Sequence, residues 1–217
     1  MAKYTYKLEN DEYVFYEDGE ILKTPHNAVI KTSNEKLADL LLTNLEHFPN
    51  YTSPTSILTY HYTYCNLKTD YTLEFIADDF SNCAGAESLM NDEYLMFRQT
   101  SPAWQPIAVY FDKELTEHFH AYNWYQLSAI LVIYTAFHSW MLSHYIITYL
   151  LAPLYDGKDV DIDALKEEFL DDLEEYECER FGFDSEDEAY SRRRKEMSDT
   201  IETFALYFTL KNLIAYE

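Results

Sequence analysis

Carboxylates are the residues best placed by number and spacing to do chemistry. The 217-residue chain carries 39 Asp and Glu against 16 Lys and Arg, a net charge of −23. Residues 156–188 alone hold sixteen acidic and three basic side chains. Two carboxylates facing each other across a cleft would suit glycoside hydrolysis. Here Glu167, Glu168, Asp171, Asp172, Glu174 and Glu175 instead recur along one helix and read as its solvated outer face. Glu117, His118 and His120 offer the start of a metal site, but no second ligand pair follows at a metal-like spacing, and there is no HExxH. His138 and His144 are six apart, so a helix turns them to different faces. Cys65, Cys83 and Cys178 form no CxxC pair and read as free thiols in a reducing compartment. Cys178 lies among carboxylates, which oppose a reactive thiolate. With only 4 Gly, and no phosphate loop, dinucleotide fingerprint or GxSxG serine, the expectation is a protein with no catalytic residue, no metal and no cofactor, and not an enzyme.

The elements that would position these groups are mostly helical. Tyr4, Tyr6 and Leu8 alternate as in a strand. Glu12–Tyr16 and Glu20–Thr24 flank Asp18-Gly19, a strong hairpin signal. Thr24-Pro25-His26-Asn27 is a second turn, and Ala28–Lys31 a short further strand. Thr32 and Glu35 have the spacing of a capping box, followed by Leu37, Leu40, Leu41, Leu45 and Phe48 at helical intervals until Pro49. Residues 50–54 read as a connector. In Ile57–Leu67 the alternation of Tyr60, Tyr62 and Tyr64 favours a strand on propensity. Thr69–Phe80 reads as a helix with Leu73, Ile76, Ala77 and Phe80 inward, and a further helix runs from Trp104 to His118.

From His118 to Tyr155 there is no charged Asp, Glu, Lys or Arg. Its second part, Leu127–Leu151, predicts an apolar helix that either crosses a membrane or forms the hub of a core. Interspersed His, Asn and Gln, together with acidic rather than basic flanks, favour the hub. Asp161 or Asp163 caps a helix with Leu165, Phe169, Leu173 and Tyr176 inward, and Gly182 ends it. Ser185 and Glu188 read as another capping box opening a last helix with Met197, Ile201, Phe204, Ala205 and Phe208 inward. Arg192–Lys195 would pair with the acidic helix. The N-terminus, Met1–Thr5, has no apolar signal region, which suits a cytoplasmic protein or a mature mitochondrial matrix form. So acidic a surface repels nucleic acid and anionic membranes.

Taken in order, several of these stretches resemble the ATP synthase assembly factor 2 family, chaperones that act on the α subunit of the F-type ATP synthase. Asp18-Gly19-Glu20-Ile21-Leu22-Lys23-Thr24-Pro25 looks like the family's hairpin. The capped helix from Thr32 to Phe48 stands where the family has its first helix. Ile57-Leu58-Thr59 looks like the start of another, and Ala103-Trp104-Gln105-Pro106 like a further family motif. Leu173-Glu174-Glu175-Tyr176, followed by Phe181-Gly182, is similar to the family's acidic motif.

The resemblance implies an α+β protein: a small antiparallel β-sheet plus helix domain over residues 1–53, then a larger all-α helical bundle over 54–217. It turns Ile57–Leu67 from strand to helix. It implies a monomeric molecular chaperone that binds the free α subunit and prevents its aggregation, with no nucleic acid and no membrane insertion. The family's functional acidic residue falls on Glu174, or on Glu175 in the alternative register, so the candidate protein-binding residues are Asp172, Glu174 and Glu175. A different class fits the charge alone: an acidic interaction module or inhibitor that binds a basic nucleic-acid-binding protein through residues 156–188.

Overall fold

The computed structural model describes residues 3–47, 52–83, 122–137, 161–182 and 184–208; a few helical side chains within these ranges are not described. The chain is α+β, with an N-terminal antiparallel sheet followed by helices. Strands β1 (Tyr4–Glu9) and β2 (Glu12–Glu17) pair in the register Tyr6↔Phe15 and Glu9↔Glu12. The turn between them holds Asn10 and Asp11 at φ 50° and 65°. Both central positions of such a primed turn need left-handed backbone, which Asn and Asp tolerate better than other side chains. The expected Asp18-Gly19 hairpin joins β2 to β3 (Glu20–Ile21), with Glu17 opposite Glu20 and φ values of 51° and 92° at the turn.

Past β3 the central strand changes partner. Leu22 N–H donates to the Phe15 carbonyl at 2.8 Å, and Phe15 N–H donates to the Ile30 carbonyl at 3.1 Å. Beyond that point β4 (Lys31–Thr32) takes over the pairing with β2. The expected strand at Ala28–Lys31 therefore lies a little later, reduced to a bridge between Lys23 and Val29 and the two residues of β4. Thr24 organises the loop in between. Its Oγ1 accepts from the amides of His26 and Ala28 at 3.2 and 3.1 Å and donates to Asn66 Oδ1 at 2.5 Å. The Thr-Pro turn is thus tied directly to a helix.

Helix α1 (Glu35–His47) lays Leu37, Ala38, Leu41 and Leu45 against the sheet and its neighbours. Tyr6, ringed by Tyr13 and Phe15, also donates to Asp39 of this helix at 2.5 Å. The cap is Asn34, whose Oδ1 accepts from Leu37 N–H at 3.0 Å. Thr32, the expected cap, instead takes the Asn34 amide at 3.2 Å as a lead-in turn.

Helix α2 (Ile57–Asp70) covers the stretch whose alternation favoured a strand. Ile57, Leu58, Tyr60, His61, Tyr62, Tyr64, Cys65 and Leu67 are all buried. Up to Leu67 its partly exposed face carries only Thr59, Thr63 and Asn66, while its buried side holds His61 and several tyrosines, so the two faces differ too little for a 3.6-residue period to show. The chain breaks at Tyr71-Thr72, and α3 (Leu73–Cys83) starts after the break rather than at Thr69. Ile76 and Ala77 are buried as expected.

Helix α4 (Trp124–Phe137) begins three residues before the expected Leu127. The reason is a reciprocal cap: Asn123 Oδ1 accepts from Gln126 N–H, and Gln126 Oε1 accepts from Asn123 N–H, both at 3.0 Å. Leu127, Ala129, Ile130, Val132 and Ile133 are buried, and α4 packs closely along α2. The hub expected from the uncharged run is therefore a pair of helices, one of them far upstream. Residues 138–160, with His138 and His144, and the stretches Asn91–Arg98 and Trp104–His118, with Glu117, His118 and nearby His120, lie outside the described residues.

Helices α5 (Ile162–Phe181) and α6 (Glu188–Phe208) close the described fold. Asp161 caps α5 by accepting from Ala164 N–H at 3.0 Å, and Gly182, at φ 67°, ends it by donating to the Cys178 carbonyl. That left-handed position is one glycine adopts without strain. Asp187, not Ser185, caps α6 through a 2.8 Å bond from Ala189 N–H. Its inner face carries Met197, Ile201, Phe204, Ala205 and the fully buried Tyr207. One buried cluster runs from Phe15 to Tyr207, so sheet and helices share a core. Among the described residues no helix is long and apolar enough to cross a membrane.

Candidate functional site

Three polar features stand out on this scaffold: a buried aromatic stack, a charged seam and a polar cleft. The stack lies where α2, α4, α6 and the sheet meet. His61 stacks on Tyr64 at 5.2 Å and 17°, and Tyr64 on Tyr125 at 4.4 Å and 15°. The His61 Nε2 lies 3.0 Å from the Lys31 carbonyl, which can only accept. Nε2 therefore carries the proton, and Nδ1 accepts from the Tyr207 hydroxyl at 3.0 Å. Burial pushes the His61 pKa down to about 4, against a smaller upward pull from the Lys31 carbonyl.

Burial raises Tyr60, Tyr125 and Tyr207 above the ordinary phenol range. The Cys65 thiol, on the same helix, is pushed up to about 12, again chiefly by burial. At neutral pH each of these groups is held in its uncharged form. The arrangement ties four elements together, β4, α2, α4 and α6, through hydrogen bonds and ring stacking. No sequence pattern marked it, because its members come from positions 31, 61–64, 125 and 207.

The charged seam joins α5 to α6 and contains a sequence-predicted site residue. Arg194 donates to Glu174 at 2.7 Å and to Asp171 at 2.5 Å, with Glu167 at 3.6 Å. Burial works against the charged guanidinium. The hydrogen bond to Asp171 and the surrounding carboxylates outweigh it, so the Arg194 pKa is raised. One helical turn along, the nearly buried Lys166 bonds Glu202 of α6 and lies 3.3 Å from Asp163.

The expected acidic outer face of α5 is exposed at Glu167, Asp171 and Glu175. Glu167, Asp171 and Glu174, three and four residues apart, also line up toward α6. Glu174 is half-buried in the seam, whereas Glu175 is exposed. The structure therefore separates the two alternative registers by environment. Asp172 belongs to α5, but its side chain is outside the described residues. The expected pairing of the basic turn with the acidic helix holds for Arg194; Lys195 pairs instead with Asp199 on its own helix at 2.8 Å.

The third feature is a cleft of about 450 Å³ lined by Asn44, Ser53, Thr55, Ser56, Asp199, Glu202 and Thr203. It lies between α1, the turn leading into α2, and α6. Sequence reasoning missed it, since its walls are far apart in the chain. Among the described residues no group of His, Cys, Asp and Glu is arranged to hold a metal ion. Cys65 is buried and Cys178 half-buried, and both are free thiols. No protein-family model matches this chain, and neither a curated protein nor a solved structure does.

Proposed function

We propose that this protein is a non-enzymatic assembly chaperone of the F-type ATP synthase head, which binds the free α subunit and keeps it from aggregating until it is assembled. The order of motifs along the chain carries this reading. The Asp18–Pro25 stretch, the helix after Thr32, the helix starting at Ile57 and the acidic motif at Leu173–Tyr176 occur in the sequence expected of such a chaperone. The N-terminal antiparallel sheet followed by helices supports it; on this reading residues 54–217 would form a helical bundle. A chaperone of this kind needs apolar surface to cover its client and charge to keep the complex in solution. Tyr71 and Phe75 supply a stacked, solvent-facing ring pair 5.4 Å apart, and Leu206 is also exposed. The exposed carboxylates of α5 supply the charge.

The test is aggregation of isolated ATP synthase α subunit, followed by light scattering with and without the purified chain. Suppression is the expected outcome. A chain that neither binds the subunit nor changes its solubility is not this chaperone. Glu174→Lys should weaken the suppression by more than Arg194→Met does. Both break the seam, but only the first reverses a carboxylate assigned to the client. Equal effects of the two substitutions would confine Glu174 to the seam, and Glu175→Lys then tests the alternative register.

A further inference from the structure

Strand β1 forms one edge of the sheet, and among the described residues no strand pairs with its outer side. Two sets of bonds fix the direction of its backbone groups. The Lys3 carbonyl accepts from Asp18 N–H at 3.0 Å. Lys3 and every second residue after it, Thr5, Lys7 and Glu9, therefore turn N–H and C=O toward β2. Phe15, opposite Tyr6, uses both its backbone groups on the far side of β2, with Ile30 and Leu22. Tyr6, and with it Tyr4 and Leu8, therefore presents N–H and C=O outward.

Proteins ordinarily blunt such an edge with a proline, a bulge, a very short strand or a lysine. β1 runs six residues, pairs one-to-one along its whole length and holds no proline. Its central lysine, Lys7, folds back, with its ammonium 4.6 Å from the centre of the Tyr16 ring of the same sheet. Leu8, on the same face of the strand as Tyr4 and Tyr6, is 61% exposed.

We propose that this edge pairs with the same edge of a second copy of the chain, joining two sheets about a two-fold axis. Antiparallel pairing of the strand with itself sets outward residues opposite outward residues. Few registers then overlap over most of the strand. With Tyr4 opposite Tyr6 of the second copy, Lys3 stands opposite Lys7. With Tyr6 opposite Leu8, Lys7 stands opposite Lys7. Like charges directly across a ladder are destabilising. Centring the axis on Tyr6 avoids both clashes and gives the longest overlap. Tyr6 then faces Tyr6, Tyr4 covers Leu8, Lys3 faces Glu9 and Thr5 faces Lys7. The charges of the strand thus select one register, which also covers its exposed leucine. Two copies of net charge −23 repel at long range. That repulsion is screened beyond about 8 Å at physiological salt, whereas cross-strand side chains meet at about 5 Å. The inference stands apart from the chaperone reading, and its dimer replaces the monomer that the family resemblance implies.

The experiment is sedimentation of the full chain at physiological salt over a range of micromolar concentrations. The expected result is a monomer–dimer equilibrium. Lys3→Glu should weaken dimerisation by about tenfold, because it puts a carboxylate opposite Glu9 at both ends of the pairing. Adding Glu9→Lys reverses the pair and should restore the dimer. Mere loss of the Tyr16–Glu9 bond would not give that rescue. Leu8→Pro removes an outward N–H and no bond within the sheet, so it should abolish dimerisation while circular dichroism stays that of wild type. The charge reversal decides the matter if the proline variant folds poorly. A chain that stays monomeric overturns the proposal, and the edge then belongs to a strand of another protein or to none. A dimer indifferent to Lys3→Glu, one that Glu9→Lys fails to restore, or one that survives in a folded Leu8→Pro variant overturns it equally.

Discussion

The His61 stack and the Arg194 seam are both polar contacts between helices, but they are built on opposite terms. At the stack the rings are buried, and His61 is held between one donor and one acceptor; the one charge that reaches it among the described residues is Lys68, which donates to Tyr64 from the rim at 3.1 Å. In the seam a single guanidinium, 24% exposed, is shared among carboxylates that are 33% to 73% exposed. Water screens the seam and can replace any lost partner, whereas nothing can replace a lost partner in the stack. The first therefore fixes the packing of the molecule, and the second can be rearranged at little cost. Of the two, only the seam is suited to contacts that form and release.

The contrast can be tested from its strongest consequence downward. Tyr207→Ala should cost about 4 kcal/mol in urea unfolding, since it opens a cavity beside Tyr60 and Tyr125 and strips His61 of its donor. Tyr207→Phe should retain the packing and still lose part of that stability. If the phenylalanine variant matches wild type, the hydroxyl contributes nothing and the stack is only apolar packing.

Next comes pH. His61 is lowered from 6.5 to about 4 by burial, so the unfolded chain binds this proton more readily than the folded one. Stability tied to it is complete above pH 6.5 and is lost as pH falls from 6.5 toward 4, by up to about 3 kcal/mol. The difference between wild type and His61→Gln across that window measures it, and parallel pH curves would show that His61 does not titrate in this way. The smallest effect belongs to the seam. Arg194→Met should cost about 1 kcal/mol or less at low salt and less still at high salt. A larger, salt-independent loss would place Arg194 with the stack and erase the distinction.

Local chemistry made part of this fold legible. Asp18-Gly19, Asp161 and Gly182 each set their own backbone or bond a neighbour three or four residues away, and each appears where its residue type predicts. Caps slipped where two candidates stood together, as with Thr32 and Asn34, because either side chain can reach an amide and only the chain's exit direction decides. The Asn10-Asp11 turn has no glycine to announce it. The alternation of Tyr60, Tyr62 and Tyr64 misled because the buried side of this helix holds His61 and tyrosines, and its outer side up to Leu67 only Thr59, Thr63 and Asn66, which leaves a weak amphipathic signal. Of the candidate site, the acidic helix and its basic partner could be read, but not which carboxylates turn toward Arg194. That choice depends on how α6 crosses α5. The stack and the cleft were invisible for the same reason, being assembled from segments that meet only in three dimensions.

The bond between His61 and Tyr207 spans 146 positions in the chain, and Tyr60 reaches Thr200 across 140. During synthesis the sheet, α1 and α2 emerge long before α6 exists to complete their core. Until then His61 lacks the Tyr207 hydroxyl and Tyr60 lacks the Thr200 carbonyl. Closing so long a loop carries an entropic cost that is recovered only at the end. The core that joins the first helices to the last therefore cannot close until Tyr207 has been made.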